Sequence, residues 1–96
     1  MRYLVQSTQF KRDLKRLNKS GQKQVTTLNA ELRKVVYYLT NDIPLSILYH
    51  DHALIGEMTG YRECHLSFDF LLVYRLEGDD ILHLVRLGTH SEALGL

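Results

Sequence analysis

A nearly continuous apolar run, FLLVYRL at residues 70–76, most constrains how this chain can fold. A strand that is apolar on both faces must be covered on both sides, so the run predicts a central strand. Residues 77–80, Glu-Gly-Asp-Asp, favour a tight turn because glycine and acidic residues tolerate the backbone angles that turns require. Residues 81–87 then predict the partner strand of a hairpin. The second half of the chain is therefore expected to form a sheet.

The first half of the chain has a different pattern. Residues 2–6 have the composition of a short strand, as residues 61–66 have later on. Apolar residues spaced three and four apart predict a helix that begins near Ser7 or Thr8 and a second that ends before Pro44. The order β-α-α-β-β-β predicts an α+β domain with a small antiparallel sheet, or a mixed one, packed by an N-terminal helix hairpin.

The length and composition exclude several classes of protein. A chain of 96 residues predicts a single domain, residues 1–96. No segment has the apolar length of a signal peptide or a membrane span, so we expect a cytoplasmic protein with no membrane partner. Cys64 is the only cysteine, which excludes an intramolecular disulfide and a cysteine metal site.

Charge is distributed unevenly although the net charge is only +1. Residues 1–40 hold nine Lys and Arg against two acidic residues, whereas residues 41–96 hold three Arg against nine acidic residues. Such asymmetry is typical of a chain with a polyanionic partner. It also fits two helices whose solvated faces are basic, and charge alone leaves both interpretations open.

All five histidines lie in the second half of the chain, at positions 50, 52, 65, 83 and 90. His50 and His52 would share one face of a strand and could bind zinc, but no HExxH or CxxC accompanies them, so no native metal site is expected. Cleavage of RNA without a metal needs a base, an acid and a cation. Histidine suits the first two roles because its pKa of about 6.5 lets both forms coexist near neutrality, and arginine matches phosphate oxygens.

Strand alternation limits which side chains can meet. Within residues 61–66, His65 and Arg62 fall on opposite faces. Within residues 81–87, Arg86 shares a face with Leu84, whereas His83 alternates with core positions and is expected to be structural. Taken singly, each of these polar residues is more often a surface or turn residue than a functional one.

Several motifs together resemble the YafQ-like toxins of the RelE/ParE superfamily. The matching segments are Asp-His-Ala-Leu at 51–54 with Gly56, Gly-Tyr-Arg-Glu-Cys-His at 60–65, Asp69 before the central strand, and Arg-Leu-Gly-Thr-His-Ser-Glu at 86–92. The resemblance implies a RelE-like sheet flanked by a helix hairpin. It also implies a toxin of a type II toxin–antitoxin pair that cleaves mRNA in the ribosomal A site and is silenced by its antitoxin.

The resemblance implies a metal-independent catalytic cluster of His52, His65, Asp69 and His90, with no cofactor. His90 is expected to be the general acid, and Asp69 or His52 the general base. His65 is expected to hold the scissile phosphate together with Arg86. Attack by the 2′-hydroxyl would leave a 2′,3′-cyclic phosphate, or its opened 3′-phosphate, and a 5′-hydroxyl.

Further positions are implied to bind substrate or partners. Relatives often carry Trp at the position of Phe70 and an aromatic residue at the position of Leu94, and His50 is an additional histidine. The substrate-binding set is Arg86, Phe70, His50, Arg62 and Leu94. The exposed face of the first helix is expected to bind ribosomal RNA or an acidic antitoxin through Lys11, Arg12, Lys15, Arg16 and Lys19. The expected antitoxin complex contains two copies of each chain and is able to bind operator DNA.

Three alternatives stay open at this point. The first is a catalytically inactive RelE-fold module that acts through an antitoxin or DNA partner, against which the retained quartet of His52, His65, Asp69 and His90 argues. The second is a metal-dependent hydrolase that uses the histidines. The third is a structural interaction domain with scattered histidines.

Overall fold

The computed structural model describes residues 1–95 and shows a five-stranded sheet with helices on both faces. The elements in chain order are β1 (Tyr3–Gln6), α1 (Thr8–Lys19), α2 (Val25–Thr40), β2 (His52–Ala53), β3 (Arg62–Ser67), β4 (Phe70–Glu77), β5 (Ile81–Gly88) and α3 (His90–Leu94). Short 3₁₀ turns at Ile47–Tyr49 and Gly56–Met58 flank β2. Within residues 1–95, no helix combines the length and apolarity needed to cross a bilayer.

The sheet has the strand order β1-β5-β4-β3-β2. Strands β2 to β5 pair antiparallel, but β1 pairs parallel with β5, with Tyr3 opposite Ile81. The α+β class and the order of the main helices and strands are confirmed, and the sheet is mixed. Two short elements were not predicted: the two-residue strand β2 and the five-residue helix α3.

The helix hairpin forms as the sequence pattern predicts. Ser7 is the N-cap of α1, and its hydroxyl oxygen accepts a hydrogen bond from the backbone N–H of Phe10 at 2.9 Å. Phe10 and Leu17 point into the core, while the basic residues between them face solvent. Helix α2 ends at Thr40, before Pro44. The hairpin therefore covers one face of the sheet and presents a basic surface outward.

Two apolar cores cover the two faces of β4. Leu72 and Tyr74 pack against the helix hairpin in the larger core, whereas Leu71 and Val73 pack with Ala93 of α3 in the smaller one. These four strand residues are almost completely buried, which contributes about 1.5–3 kcal/mol for each large side chain. The prediction of a central strand buried on both sides is confirmed.

Strand β3 places two of its polar residues, Glu63 and His65, on the face of the smaller core. Glu63 and His65 pair with Val73 and Leu71, which belong to that core. Cys64 alternates with them and belongs to the larger core under the hairpin. The predicted alternation along residues 61–66 is confirmed, and it brings Glu63 and His65 to the side of the sheet that carries α3.

A bulge in β5 changes the direction of Arg86. Tyr74 pairs with Leu84 but Val73 pairs with Arg86, so one extra residue, Val85, is inserted. The bulge interrupts the alternation from which Arg86 was predicted to share the face of Leu84, because simple alternation carries no information about a bulge. The Nε2 atom of His83 lies 2.9 Å from Oε1 of Glu77, away from the other four histidines, and the expected structural role of His83 stays a prediction.

Arg86 instead joins a buried polar contact between α1, β5 and α3. The carboxylate of Asp13, which is buried, accepts hydrogen bonds from Nε of Arg86 and from the backbone N–H of Leu87, each at 2.9 Å. Burial alone would raise the pKa of Asp13, but these hydrogen bonds outweigh burial and lower it. Nη2 of Arg86 also donates to the carbonyl of Glu92 at 2.7 Å, which ties α3 to the sheet.

Candidate active site

Four of the five histidines meet at one edge of the sheet, with His65 at their centre. His50 and His52 come from the segment between α2 and β3, His65 from β3, and His90 is the first residue of α3. The ring centroid of His65 lies 5.5 Å from that of His50, 6.4 Å from that of His52 and 5.4 Å from that of His90. The structure thus brings together residues that are up to 40 positions apart in the sequence.

Asp69 fixes the orientation of His90. Oδ1 of Asp69 lies 2.8 Å from Nδ1 of His90 and also accepts a hydrogen bond from the backbone N–H of His90 at 3.2 Å. The hydrogen bonds from His90 lower the pKa of Asp69, so the carboxylate is the acceptor and Nδ1 carries the hydrogen. The Nε2 atom of His90 has no hydrogen-bond partner among residues 1–95. It is therefore available to a substrate.

The backbone around His90 is also fixed, by the N-terminal cap of α3. Thr89 is the N-cap of α3, and its hydroxyl accepts from the backbone N–H of Glu92, whose side chain in turn accepts from the backbone N–H of Thr89 at 3.0 Å. This reciprocal capping box stabilises the first turn of a helix that is only five residues long. The short helix keeps His90 facing Asp69.

His65 is the most enclosed histidine of the cluster, with 21% of its side chain exposed. Burial lowers the pKa of His65, and the positive charges that His90, His50 and His52 can carry lower it further, although Glu63 acts in the opposite direction. A lowered pKa favours the neutral imidazole, which has a free lone pair. His65 can therefore accept a proton near neutral pH.

Glu63 is not among the site residues predicted from the sequence. It is buried, and its Oε1 atom lies 2.9 Å from Nε2 of His52 and 3.7 Å from Nε2 of His65. Its Oε2 atom has no hydrogen-bond partner within residues 1–95. A buried carboxylate oxygen without a partner is costly. The alternation of β3 already placed Glu63 on the same face as His65, and this was the signal that could have identified it.

Asp51 anchors the loop that carries His50 and His52 to strands β3 and β4. Its carboxylate accepts hydrogen bonds from Nη2 of Arg62 at 2.9 Å and from the hydroxyl of Tyr74. The hydrogen bond to Asp51 raises the pKa of the Arg62 guanidinium. Arg62, expected to bind substrate, therefore points away from the histidines and supports their loop.

Phe70 and Leu94 are also placed differently from their expected role. Phe70 is only 8% exposed and packs in the larger core, and Leu94 packs against the smaller core. Neither presents a ring to solvent at the cluster, so neither stacks on a base in this structure. The exposed aromatic residue in this region is Phe68, two positions earlier, in the turn between β3 and β4.

A groove with a volume of about 940 Å³ lies between α2 and the edge of the sheet. Its walls include His50, His52 and His65 on one side, and Tyr38 and other residues from α2 on the other. The remaining lining residues are Glu31, Lys34, Ser46, Leu48, Tyr49, Leu66, Ser67 and Phe68. Because His65 belongs both to this groove and to the pair with His90, the groove leads directly to the catalytic candidates.

The basic face of α1 is exposed as expected. Lys11, Arg12, Lys15 and Lys19 form no ion pair within the described chain, residues 1–95. Arg16 differs, because its guanidinium lies 3.3 Å from Asp13 and 3.5 Å from Glu92. Four of the five residues are therefore free to bind a polyanion, while Arg16 helps to hold α3.

Three residues of the cluster could hold a metal ion. Glu63, His65 and His90 each offer one ligand atom, and these atoms lie within 4.8 Å of one another. Carboxylate and imidazole are ordinary ligands of zinc and copper. The site therefore suits a transition metal as well as metal-free acid–base chemistry.

Comparison with known proteins identifies the family. Residues 2–95 match the family described as the bacterial toxin of type II toxin–antitoxin systems, YafQ. The mRNA interferase toxin YafQ of Escherichia coli K12 is 34% identical over 89 residues, which cover 93% of this chain and 91% of that protein.

Solved structures agree with this match. YafQ in the crystal structure of the E. coli DinJ–YafQ complex superposes with a TM-score of 0.79 at 33% identity, over 95% of this chain and 96% of that one. A metal-bound toxin from Helicobacter pylori superposes with a TM-score of 0.81 at 43% identity, over 96% and 98% of the two chains. The chain therefore belongs to the YafQ family of bacterial toxins of type II toxin–antitoxin systems.

Proposed function

We propose that this toxin is an endoribonuclease that cleaves mRNA by metal-independent acid–base catalysis in the ribosomal A site. The name of the E. coli relative, an mRNA interferase, supports the substrate. The observation that carries the mechanism is the 2.8 Å contact between Asp69 and Nδ1 of His90, with the ring of His65 centred 5.4 Å from that of His90. Two imidazoles at this separation can act on opposite sides of one phosphate.

His90 acts as the general acid. Asp69 holds the hydrogen on Nδ1 and stabilises the charged imidazolium, so Nε2 carries the proton that is given to the departing 5′-oxygen. The carboxylate of Asp69 thereby acts on His90 and does not itself take a proton. Asp69 was one of two residues that the sequence offered as the general base, and the role proposed here is a different one.

His65 is the best-placed general base. Its lowered pKa keeps the imidazole neutral, and a neutral imidazole can take the proton of the 2′-hydroxyl. His52, the other candidate from the sequence, has Nδ1 2.7 Å from the carbonyl of His50 and Nε2 2.9 Å from Glu63. Both nitrogens of His52 therefore already face acceptor oxygens of the protein, and neither is directed at a substrate hydroxyl.

The reaction replaces the phosphorus bond to the 5′-oxygen with a bond to the 2′-oxygen. The 2′-oxygen forms a bond to phosphorus as His65 takes its proton, and the bond from phosphorus to the 5′-oxygen breaks as His90 protonates that oxygen. The products are a 2′,3′-cyclic phosphate, or its hydrolysed 3′-phosphate, and a 5′-hydroxyl. His50 lines the groove with its ring 5.5 Å from that of His65, and it stabilises the charge of the pentacovalent phosphorane.

The partners follow from this function. The exposed cations of α1 bind ribosomal RNA or an acidic antitoxin, and action on translating ribosomes places the toxin in the cytoplasm. The E. coli YafQ structure in complex with DinJ supports a protein antitoxin as the silencing partner. The complex is expected to contain two toxins and two antitoxins and to bind operator DNA.

The test compares wild type with His90→Ala on ribosomes programmed with a defined mRNA, followed by mapping of 5′-hydroxyl ends. Wild type should cut and His90→Ala should lose at least about 100-fold in rate, the usual contribution of a general acid. His83→Gln is the matched control, because His83 pairs with Glu77 outside the cluster and should cut normally. If His90→Ala cuts like wild type, the mechanism is refuted. If folded wild type neither cuts nor arrests growth, the catalytically inactive binding module becomes the better description.

A further inference from the structure

We propose that Phe68 is the side chain on which a nucleobase of the RNA stacks, next to the phosphate that is cleaved. The inference rests on the ribonuclease function proposed above and assigns a substrate-binding residue to it. Phe68 lies in the turn between β3 and β4 and is 97% exposed, more than any other apolar residue measured in residues 1–95.

The position of Phe68 sets it apart from an isolated exposed apolar residue, which by itself would need no explanation. It lines the same groove as His52 and His65. It also directly precedes Asp69, so its Cα lies about 3.8 Å from that of the residue that orients His90. A nucleobase stacked on this ring would therefore lie beside the residue that orients the general acid and in the same groove as His65, the proposed general base.

Among residues 1–95, no other phenylalanine or tyrosine ring of the groove is equally exposed. Tyr38 and Tyr49 are both partly buried, and the hydroxyl of Tyr49 is held by Glu31 at 2.7 Å. Phe70 is in the larger core and Leu94 has no ring. The aromatic surface expected at positions 70 and 94 is thus supplied by Phe68, whose ring has no packing partner that would prevent stacking.

Stacking gives this residue a definite effect on the reaction. Every base has a π-face, so an aromatic platform binds single-stranded RNA with little dependence on sequence. It would fix the nucleotide relative to His65 and His90, and its loss should reduce cleavage by about 5- to 150-fold, the range that corresponds to one stacked base. The effect should appear mainly in KM when the ring contributes equally to ground-state and transition-state binding.

The first experiment measures kcat and KM for cleavage of mRNA on programmed ribosomes. Phe68→Leu should lose about 5- to 150-fold in kcat/KM, whereas Phe68→Tyr and Phe68→Trp should stay within about threefold of wild type. Ile55→Ala is the matched control, because Ile55 is 89% exposed and outside the groove. Thermal unfolding of all variants should match wild type. Equal cleavage by Phe68→Leu and wild type, or equal loss in the leucine and aromatic variants, overturns the inference.

The second experiment separates this inference from the proposed function. The chain has no tryptophan, so Phe68→Trp introduces a single indole whose fluorescence reports stacking. In a His90→Ala background, a single-stranded RNA oligonucleotide should quench this fluorescence, and it should not quench that of Ile55→Trp with His90→Ala. If wild type fails to cut RNA, the ribonuclease function is refuted, and quenching selective for position 68 still supports stacking. If quenching is absent, the stacking role of Phe68 is refuted even when wild type cuts.

Discussion

Removal of the Asp13 carboxylate tests whether Arg86 is structural. The side chain of Asp13 is fully buried, and Nε of Arg86 and the backbone N–H of Leu87 both donate to Oδ2 at 2.9 Å. In Asp13→Ala, both donors lose their main acceptor. Breaking a buried ion pair from one side costs about 3–5 kcal/mol. Because 26% of the Arg86 side chain reaches solvent, we expect the lower end, about 3 kcal/mol.

That loss is large for a chain of this length. A domain of 96 residues has a free energy of unfolding of about 5–14 kcal/mol, and 3 kcal/mol lowers Tm by about 12–24 °C. Urea titration followed by circular dichroism measures the change. Lys11→Ala, which alters an exposed residue of the same helix, should change stability by less than about 0.5 kcal/mol.

The dependence on pH adds a second readout for Asp13. Its pKa is lowered in the folded state, so its contribution to stability is complete above the unfolded value of about 3.8 and is lost as the pH falls through the lowered value. The difference between wild type and Asp13→Asn should therefore narrow as the pH falls below 3.8. A loss below 1 kcal/mol in Asp13→Ala, or additive effects in a double-mutant cycle with Arg86→Ala, would refute the buried pair.

Three further predictions concern the cluster and the basic helix. If His65 is the base, kcat/KM should stay constant down to pH values below 6.5. Glu63→Gln should move the acidic limb of the pH–rate profile to still lower pH, because the charge of Glu63 raises the pKa of His65. An acidic limb that does not move would reject this effect of Glu63 on His65. Treatment of the purified toxin with EDTA, which is removed before ribosomes are added, should leave cleavage unchanged. Added Zn²⁺ or Cu²⁺ should inhibit cleavage by binding Glu63, His65 and His90 together. Activity that this treatment removes and Zn²⁺ restores would contradict metal-independent catalysis. The double variant Lys11→Ala, Lys15→Ala should bind ribosomes with a weaker salt dependence. The slope of log affinity against log salt concentration should fall in magnitude by about 1.4–1.8, since each phosphate contact contributes about 0.7–0.9. An unchanged slope would assign this face of α1 to another partner.

Local patterns were sufficient for the elements that depend on local physics. The apolar run of β4, the helical spacing of α1 and α2 and the N-cap at Ser7 all lie where the sequence predicted them. Each depends on side chains within one turn or one strand. The parallel pairing of β1 could not be obtained in this way, because Tyr3 and its partner Ile81 are brought together only by the whole sheet.

The candidate site was predicted in composition but not in all its geometry. His52, His65, Asp69 and His90 converge as the family motifs implied. Arg62 and Arg86 were misplaced because each pairs with a carboxylate of the protein: Arg62 with the half-buried Asp51, and Arg86 with the buried Asp13, which lies 73 positions away in the sequence. A cation expected to bind phosphate is indistinguishable, in sequence alone, from one that is paired inside the protein.

The irregular turn between β3 and β4 accounts for the opposite burial of Phe68 and Phe70. A register shift between His65 and Ser67 precedes the turn. It leaves Phe68 outside and Phe70 inside. Alternation predicts that two residues two positions apart share a face, and an irregularity at a turn removes that relation.

The pairing of β1 with β5 also determines when the toxin becomes complete during its own synthesis. β1 is the first strand to be made, and its partner β5 is the last. His90 follows β5, so an unfinished chain has neither the complete sheet nor the proposed general acid. Such non-local pairing is slow to form compared with local helices. The topology therefore delays completion of the sheet, and of the segment that carries His90, until β5 and the residues after it have been translated.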